Sequence, residues 1–306
     1  MDLLHLVDKP EGWTSHDVVA RLRRILGERR MGHAGTLDPF ATGLLLVAEG
    51  RATALLGCMS LLPKRYRAVA RLGVATDTQD RTGVPLRTSR VIPSESEVRE
   101  AVARLKTRTL QRPPSYSAVK VRGERLYKAA RRGETLEAEE RPIRIYDLEA
   151  DTSSLPDVVL DLTVSRGTYI RTLAHDLGED LGCGAHLVSL RRTATGPFRV
   201  EGAISPVSRG DEGAPDLRER ARTPAQAIPH LPRATLTGEE SARVRHGRAP
   251  SLDRIRLQPA PLWVPLPPGE ADWPLALFSP EGDLIALGRL GDGEPTATVR
   301  LLRVFP

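Results

Sequence analysis

Residues 64–73 read KRYRAVARLG, a run in which apolar and basic side chains alternate. A period of two places its two kinds of side chain on opposite faces of a β-strand. Four other stretches carry strand signals: LLHLV at the N-terminus, LLLVA at 44–48, RPIRIYDLEA and DVVLDLTVS. Between them the period changes to that of helices. Ser15 is expected to cap a helix whose Val18, Val19, Leu22, Ile25 and Leu26 share one face and which Gly27 stops. ATALLGCMSLLP reads as a buried helix, SESEVREAVARL opens with Ser94 and Glu97 at capping-box spacing, and TYIRTLAHDLGEDLG continues as a third periodic run. The pattern predicts a mixed α+β domain.

After about Ile204 the composition changes. SPVSRGDEGAPDLRERARTPAQ is polar and proline-containing, and it reads as a connecting segment over about 205–229 with one short helix. From His230 onward the chain has no lysine and ends in two β-like runs, ALFSPEGDLIALGRL and TATVRLLRVF, which predict a small β-rich domain over 230–306. A chain of 306 residues is long enough for one large domain and this smaller one.

Arginine supplies nearly all the positive charge: of 45 basic residues only Lys9, Lys64, Lys106, Lys120 and Lys128 are lysines, and the formal net charge is +6. Guanidinium forks suit phosphates and stack on bases. Basic stretches recur at RLRRILGERR, KRYRAVAR, KVRGERLYKAARR and LRRTATGPFR, as on an extended polyanion-binding surface. Two cysteines, Cys58 and Cys183, rule out a disulfide framework and a thiolate zinc site. MDLLHLVDKPEGW lacks a basic leader, and nowhere do eighteen apolar residues run together. A cytoplasmic protein that does not cross a membrane is the expectation.

The chemistry centres on GHAGTLDPFATGLL, residues 32–45. It has no GK[ST] ending for a phosphate loop, no second acid nearby for a hydrolase pair and no GxSxG elbow. One carboxylate, Asp38, is left on a loop shaped by Pro39 and by Gly32, Gly35 and Gly43. Taken alone, the Asp-Pro pair reads as a turn.

Together with DKPEGWTSHDVV, KRYRAVARLG, QRPPSYSAVKVRGERLYKAARRG, SRGTYIRTLAHDLG and GCGAHLVSLRRTATGPF, this motif resembles the TruB family, the bacterial tRNA pseudouridine-55 synthases. The resemblance covers most of residues 3–200, in family order. LTGEESARVRHGR, GDLIALGRL and the closing RVF are similar to the PUA RNA-binding domain that this family commonly carries. The resemblance implies a catalytic domain with a mainly antiparallel central sheet flanked by helices. It also implies isomerisation of uridine 55 in the T arm of tRNA, without cofactor or metal. Nothing in the sequence suggests an obligate protein partner, and a monomer is the expectation. A guide-RNA-dependent relative acting on other RNAs, or a non-catalytic RNA-binding or RNA-folding protein, is the alternative.

The same resemblance assigns the site. Asp38 is the nucleophile or base; Arg171 pairs with it and keeps it ionised; Tyr66 stacks on the target base and helps move its C5 proton. His33 helps hold the flipped-out arrangement, Tyr169 and Leu190 line the base pocket, and Lys9 either braces the loop or touches phosphate. In Phe40 the sequence departs from the common leucine but stays apolar.

Overall fold

In a computed structural model, which describes residues 1–134, 136–206, 214–251, 255–270, 272–290 and 299–305, the alternation at Lys64–Leu72 becomes a strand. Tyr66, Ala68, Ala70 and Leu72 are buried, while Arg65, Arg67 and Arg71 are exposed. This strand sits inside a sheet whose order is Leu3–Lys9, Thr42–Glu49, Ala185–Thr195, Lys64–Leu72, Asp157–Val164, Ile145–Ser154. Met31–His33 pairs with Thr42–Glu49, and Phe198–Arg199 with Ala185–Thr195. Pairing is antiparallel except between Ala185–Thr195 and Thr42–Glu49, where Arg191 faces Thr42 and Arg192 faces Gly43.

Helices Glu95–Lys106 and Ile170–Asp180 cover one face, packing Val98, Leu105, Leu173 and Leu177 against Ala68, Ala70 and Leu160. Ser94 and Glu97 form the capping box that starts the first of them. The helix Ser15–Leu26 packs Val18, Val19 and Leu22 against Val7, Leu45 and Val47, and it ends at Gly27 in the left-handed region (φ 67°). Its cap is Thr14, not Ser15: Thr14 Oγ1 accepts from the Asp17 amide, and the Asp17 carboxylate accepts from the Thr14 amide at 2.8 Å. Either residue type suits a cap, but Ser15 lies one position inside, with its hydroxyl turned toward the Asp38 loop. The expected helix over ATALLGCMSLLP splits into a 3₁₀ turn, Gly50–Leu55, and an α-helix, Leu56–Leu61.

The segment after Ile204 is not a free connector. Ile204 bonds the backbone of Leu6 and Asp8, and Arg222 exchanges two 2.8 Å hydrogen bonds with Leu4. Leu217, in the short helix Ala214–Glu219, is buried beside Ile25 and Leu26. Residues 207–213 of that stretch, and 296–298 of the terminal β-like run, lie outside the described residues. The C-terminal part forms a five-stranded sheet in the order Arg256–Gln258, Arg233–Thr235, Leu275–Phe278, Leu284–Leu290, Val299–Val304, with the helix Gly238–Arg245 beside it. Its Ala276, Phe278, Leu284 and Phe305 join one apolar cluster with Leu4, Leu6 and Leu46 of the large sheet and with Met59 and Leu62 at the helix Leu56–Leu61.

Candidate active site

Residues 34–41 join Met31–His33 to Thr42–Glu49 and carry Asp38. Gly43 makes that placement possible: its φ is +103°, and a Cβ there would lie 2.3 Å from the Arg192 carbonyl oxygen. The loop is fastened from behind. The Lys9 ammonium, with no exposure, donates to the carbonyls of Pro10 (2.9 Å), Trp13 (2.6 Å) and Pro39 (3.2 Å). Burial pushes it down to about 8, although the Asp38 charge pulls the other way. Ser15 Oγ accepts from the Leu37 amide at 2.9 Å.

In front of the loop stands Arg171, on the first turn of Ile170–Asp180. Its Nε lies 2.9 Å from Asp38 Oδ2, and its Nη2 donates to Asp38 Oδ1 at 3.3 Å. Nη1 lies 3.4 Å from Asp80 Oδ2, and the remaining protons go to the carbonyls of Thr78 (2.8 Å) and Tyr116 (2.9 Å). The guanidinium is 4% exposed, Asp80 5% and Asp38 34%. Asp38 is therefore the carboxylate a ligand can reach, and Asp80 the one fixed behind. Asp80 is held in turn by Thr78 Oγ1, Thr82 Oγ1 and the Thr82 amide.

Asp38 lies on a cavity of about 890 Å³, the size of a small-ligand site. Although part of its side chain meets solvent, protein surrounds the carboxyl, and burial raises its pKa above the usual carboxylate value. Arg171 opposes that rise, while the charge on Asp80 adds to it. Tyr66, Tyr169, Arg171 and Leu190 line the same cavity, so five of the residues singled out from sequence meet in one place. Tyr169 is anchored through its backbone: its amide donates to Gln111 Oε1 (2.8 Å), and Gln111 Nε2 donates back to its carbonyl (3.0 Å). Burial raises the Tyr169 phenol.

Lys9 and His33 do not line the cavity. Lys9 is behind the loop. His33 is at the strand end, half-buried, its Nδ1 without a hydrogen-bond partner, and burial and the charge of Arg192 hold it below the usual histidine value. Sequence reasoning missed Asp80 and Gln111, as well as Lys64 and Arg192, two further cations lining the cavity. For Asp80 the available signal was weak: an aspartate among threonines in ATDTQDRTG, which is the composition of an ordinary turn. Among the described residues, no cluster of histidine, cysteine and acidic side chains is placed to hold a metal ion, and no helix is long and apolar enough to cross a membrane.

Comparison with known proteins agrees on one family. Residues 23–170 match the N-terminal domain of the TruB family pseudouridylate synthases, and residues 171–206 the tRNA pseudouridylate synthase B C-terminal domain. The tRNA pseudouridine synthase B of Geobacter sulfurreducens is 46% identical over 83% of this chain and 84% of its own length. That of Thermobifida fusca is 42% identical over 95% of this chain and 96% of its own. Among solved structures, a chain in the crystal structure of a Cbf5-Nop10-Gar1 complex is similar at a TM-score of 0.76 and 28% identity, covering 99% of this chain and 85% of that one. With its Asp38 loop, its mainly antiparallel sheet and these relatives, the chain belongs to the TruB family of pseudouridine synthases.

Proposed function

We propose that this chain, a tRNA pseudouridine synthase by family, isomerises uridine 55 in the T arm of tRNA, using Asp38 as the reacting carboxylate. The observation that carries the reading is the Asp38–Arg171 pair at 2.9 Å, set on a cavity lined by Tyr66, Tyr169 and Leu190. The reaction breaks the bond from uracil N1 to ribose C1′, turns the base and joins C5 to C1′. The C5 proton leaves and N1 gains one, so composition is unchanged.

An ionised Asp38 serves either route, attack on the sugar or removal of its C2′ proton. Arg171 holds that ionised form against burial, and Asp80 fixes the angle at which Arg171 is presented. The target base must leave its stack, at a cost of a few kcal/mol. Tyr66 and Tyr169 offer aromatic faces that offset the loss. Lys9 and His33 act one step back: Lys9 braces the loop, and His33 supports the extruded arrangement from the strand end.

Residues 1–229 form the catalytic domain in this reading, with 205–229 as its trailing segment, and 230–306 a PUA-like RNA-binding module. In support, a relative from Opitutus terrae matches over 96% of its own length but only 76% of this chain. The protein acts in the cytoplasm, as a monomer. Likeness to a chain in an H/ACA RNP bound to a substrate RNA, at 25% identity and TM-score 0.74, favours a guide-dependent reading instead. One assay separates the two. Tritium release from 5-tritiated uridine in an unmodified tRNA transcript, with no other RNA or protein added, is expected to proceed; absence of release would overturn the reading.

A further inference from the structure

We propose that Lys64 and Arg192 seat a phosphodiester of the RNA strand that carries the target nucleotide, over Gly35 of the Asp38 loop. Arg192 is only 1% exposed and, among the described residues, is the bulkiest of the fully buried side chains. Its Nε donates to the Leu44 carbonyl (2.6 Å) and its Nη2 to that of Gly35 (3.1 Å). Lys64, also buried, donates to the carbonyls of Ser60 (2.5 Å) and Leu62 (2.6 Å). Neither is ion-paired to a carboxylate among the described residues. Arg171, the other buried arginine of the cavity, has two.

Uncompensated buried cations are costly, and two of them side by side on a ligand cavity call for an anion from outside. Both cations line the cavity beside Gly35. A Cβ on Gly35 would lie 3.6 Å from Arg192 Nη1 and 3.7 Å from Lys64 Cε, so both cations converge on the one residue of the loop that has no side chain. Arg192 Nη1 makes no hydrogen bond to any described residue, and Lys64 retains a third proton. A phosphodiester carries one charge and two free oxygens, one for each cation, and is the only anionic group in RNA. The lysine itself is short of an anion: burial and the charges of Arg192 and Arg166 push it down to about 7.

The seat presupposes the RNA substrate proposed above, and turnover of an unmodified T-arm stem-loop by the wild-type protein tests that substrate by itself. For the seat, stem-loops carrying a neutral methylphosphonate at one linkage at a time around the target uridine are compared for binding. One linkage is expected to weaken wild-type binding by about tenfold, as loss of a charge-assisted pair would. In Lys64→Gln the unmodified RNA is expected to bind about as weakly, and that methylphosphonate to add less than about threefold. No sensitive linkage in the wild type, or the full penalty persisting in Lys64→Gln, would overturn the seat. Should Lys64→Gln not fold, lysine-labelled wild-type protein, with five lysines, gives a second reading by carbon NMR. The Lys64 signal is expected to titrate at higher pH in complex with the unmodified RNA than with the sensitive methylphosphonate RNA. Equal midpoints would overturn the proposal.

Discussion

Ser15 and Leu37 exchange two hydrogen bonds: the serine hydroxyl accepts from the Leu37 amide at 2.9 Å and donates to the Leu37 carbonyl at 3.3 Å. Both residues are buried, and Leu37 directly precedes Asp38. Ser15→Ala leaves an amide and a carbonyl without partners, at a cost of about 1–3 kcal/mol. Thermal unfolding is expected to show that loss. Single-turnover rates are expected to fall further than RNA affinity, because the loop that loosens holds Asp38.

Asp38→Asn keeps the size of the side chain and loses its charge. Turnover is expected to stop while tRNA binding persists, as read by tritium release beside filter binding. Activity within about tenfold of wild type, which is ~1.4 kcal/mol of barrier, would remove Asp38 from the chemistry.

The pH dependence has a definite sign. Burial raises the Asp38 pKa; if its carboxylate is the working form, as proposed, kcat/KM is expected to fall as pH drops, with a midpoint above that of an ordinary aspartate. Asp80→Asn removes the charge that adds to this rise and leaves Arg171 facing Asp38 alone. Both changes favour the ionised form, so the acid limb is expected to move to lower pH even where the maximal rate declines. An acid limb that stays in place or moves up would contradict the arrangement.

Tyr66 is tested by a pair of variants. Tyr66→Phe keeps the ring and Tyr66→Leu removes it, a loss worth on the order of 1–3 kcal/mol where a base stacks. Leu is expected to weaken capture of the flipped base, whereas Phe is expected to bind well and turn over slowly. Near-normal single-turnover rates for both would reduce Tyr66 to packing.

Glu270, in the C-terminal part of the chain, pairs with the cavity residue Arg166 at 3.1 Å and lies 3.5 Å from Arg289. Glu270→Gln frees both arginines. An exposed pair is worth ~0–1 kcal/mol, so affinity for tRNA is expected to rise by up to about fivefold, with a steeper salt dependence. A weaker or unchanged affinity would place these arginines away from the RNA.

Local signals in the sequence carried far. The alternation in KRYRAVARL put Tyr66 on the buried face with Arg65 and Arg67 outside, and Ser94 with Glu97 marked a helix start. Such features rest on period and capping, which neighbouring residues decide. Asp80 was illegible because its role comes from Arg171, which reaches it only after Ile170–Asp180 packs on the sheet. The docking of Phe278 and Phe305 on Leu4 and Leu6 was hidden for the same reason, since each segment is apolar enough for a core of its own. The Thr14 cap differs from the expected Ser15 because two adjacent hydroxyls compete, and the contact with Leu37 decides between them.

The strand Ala185–Thr195 lies between Thr42–Glu49 and Lys64–Leu72, both of which precede it in the chain by most of a domain. Synthesis from the N-terminus therefore delivers the Asp38 loop long before the strand that supports it and before the arginine that faces it. Until residues 171–195 emerge from the ribosome, the nascent protein carries Asp38 without its Arg171 counter-charge and without the strand beside its own. The pairing of Asp38 with Arg171 therefore cannot form until most of the large sheet has been synthesised.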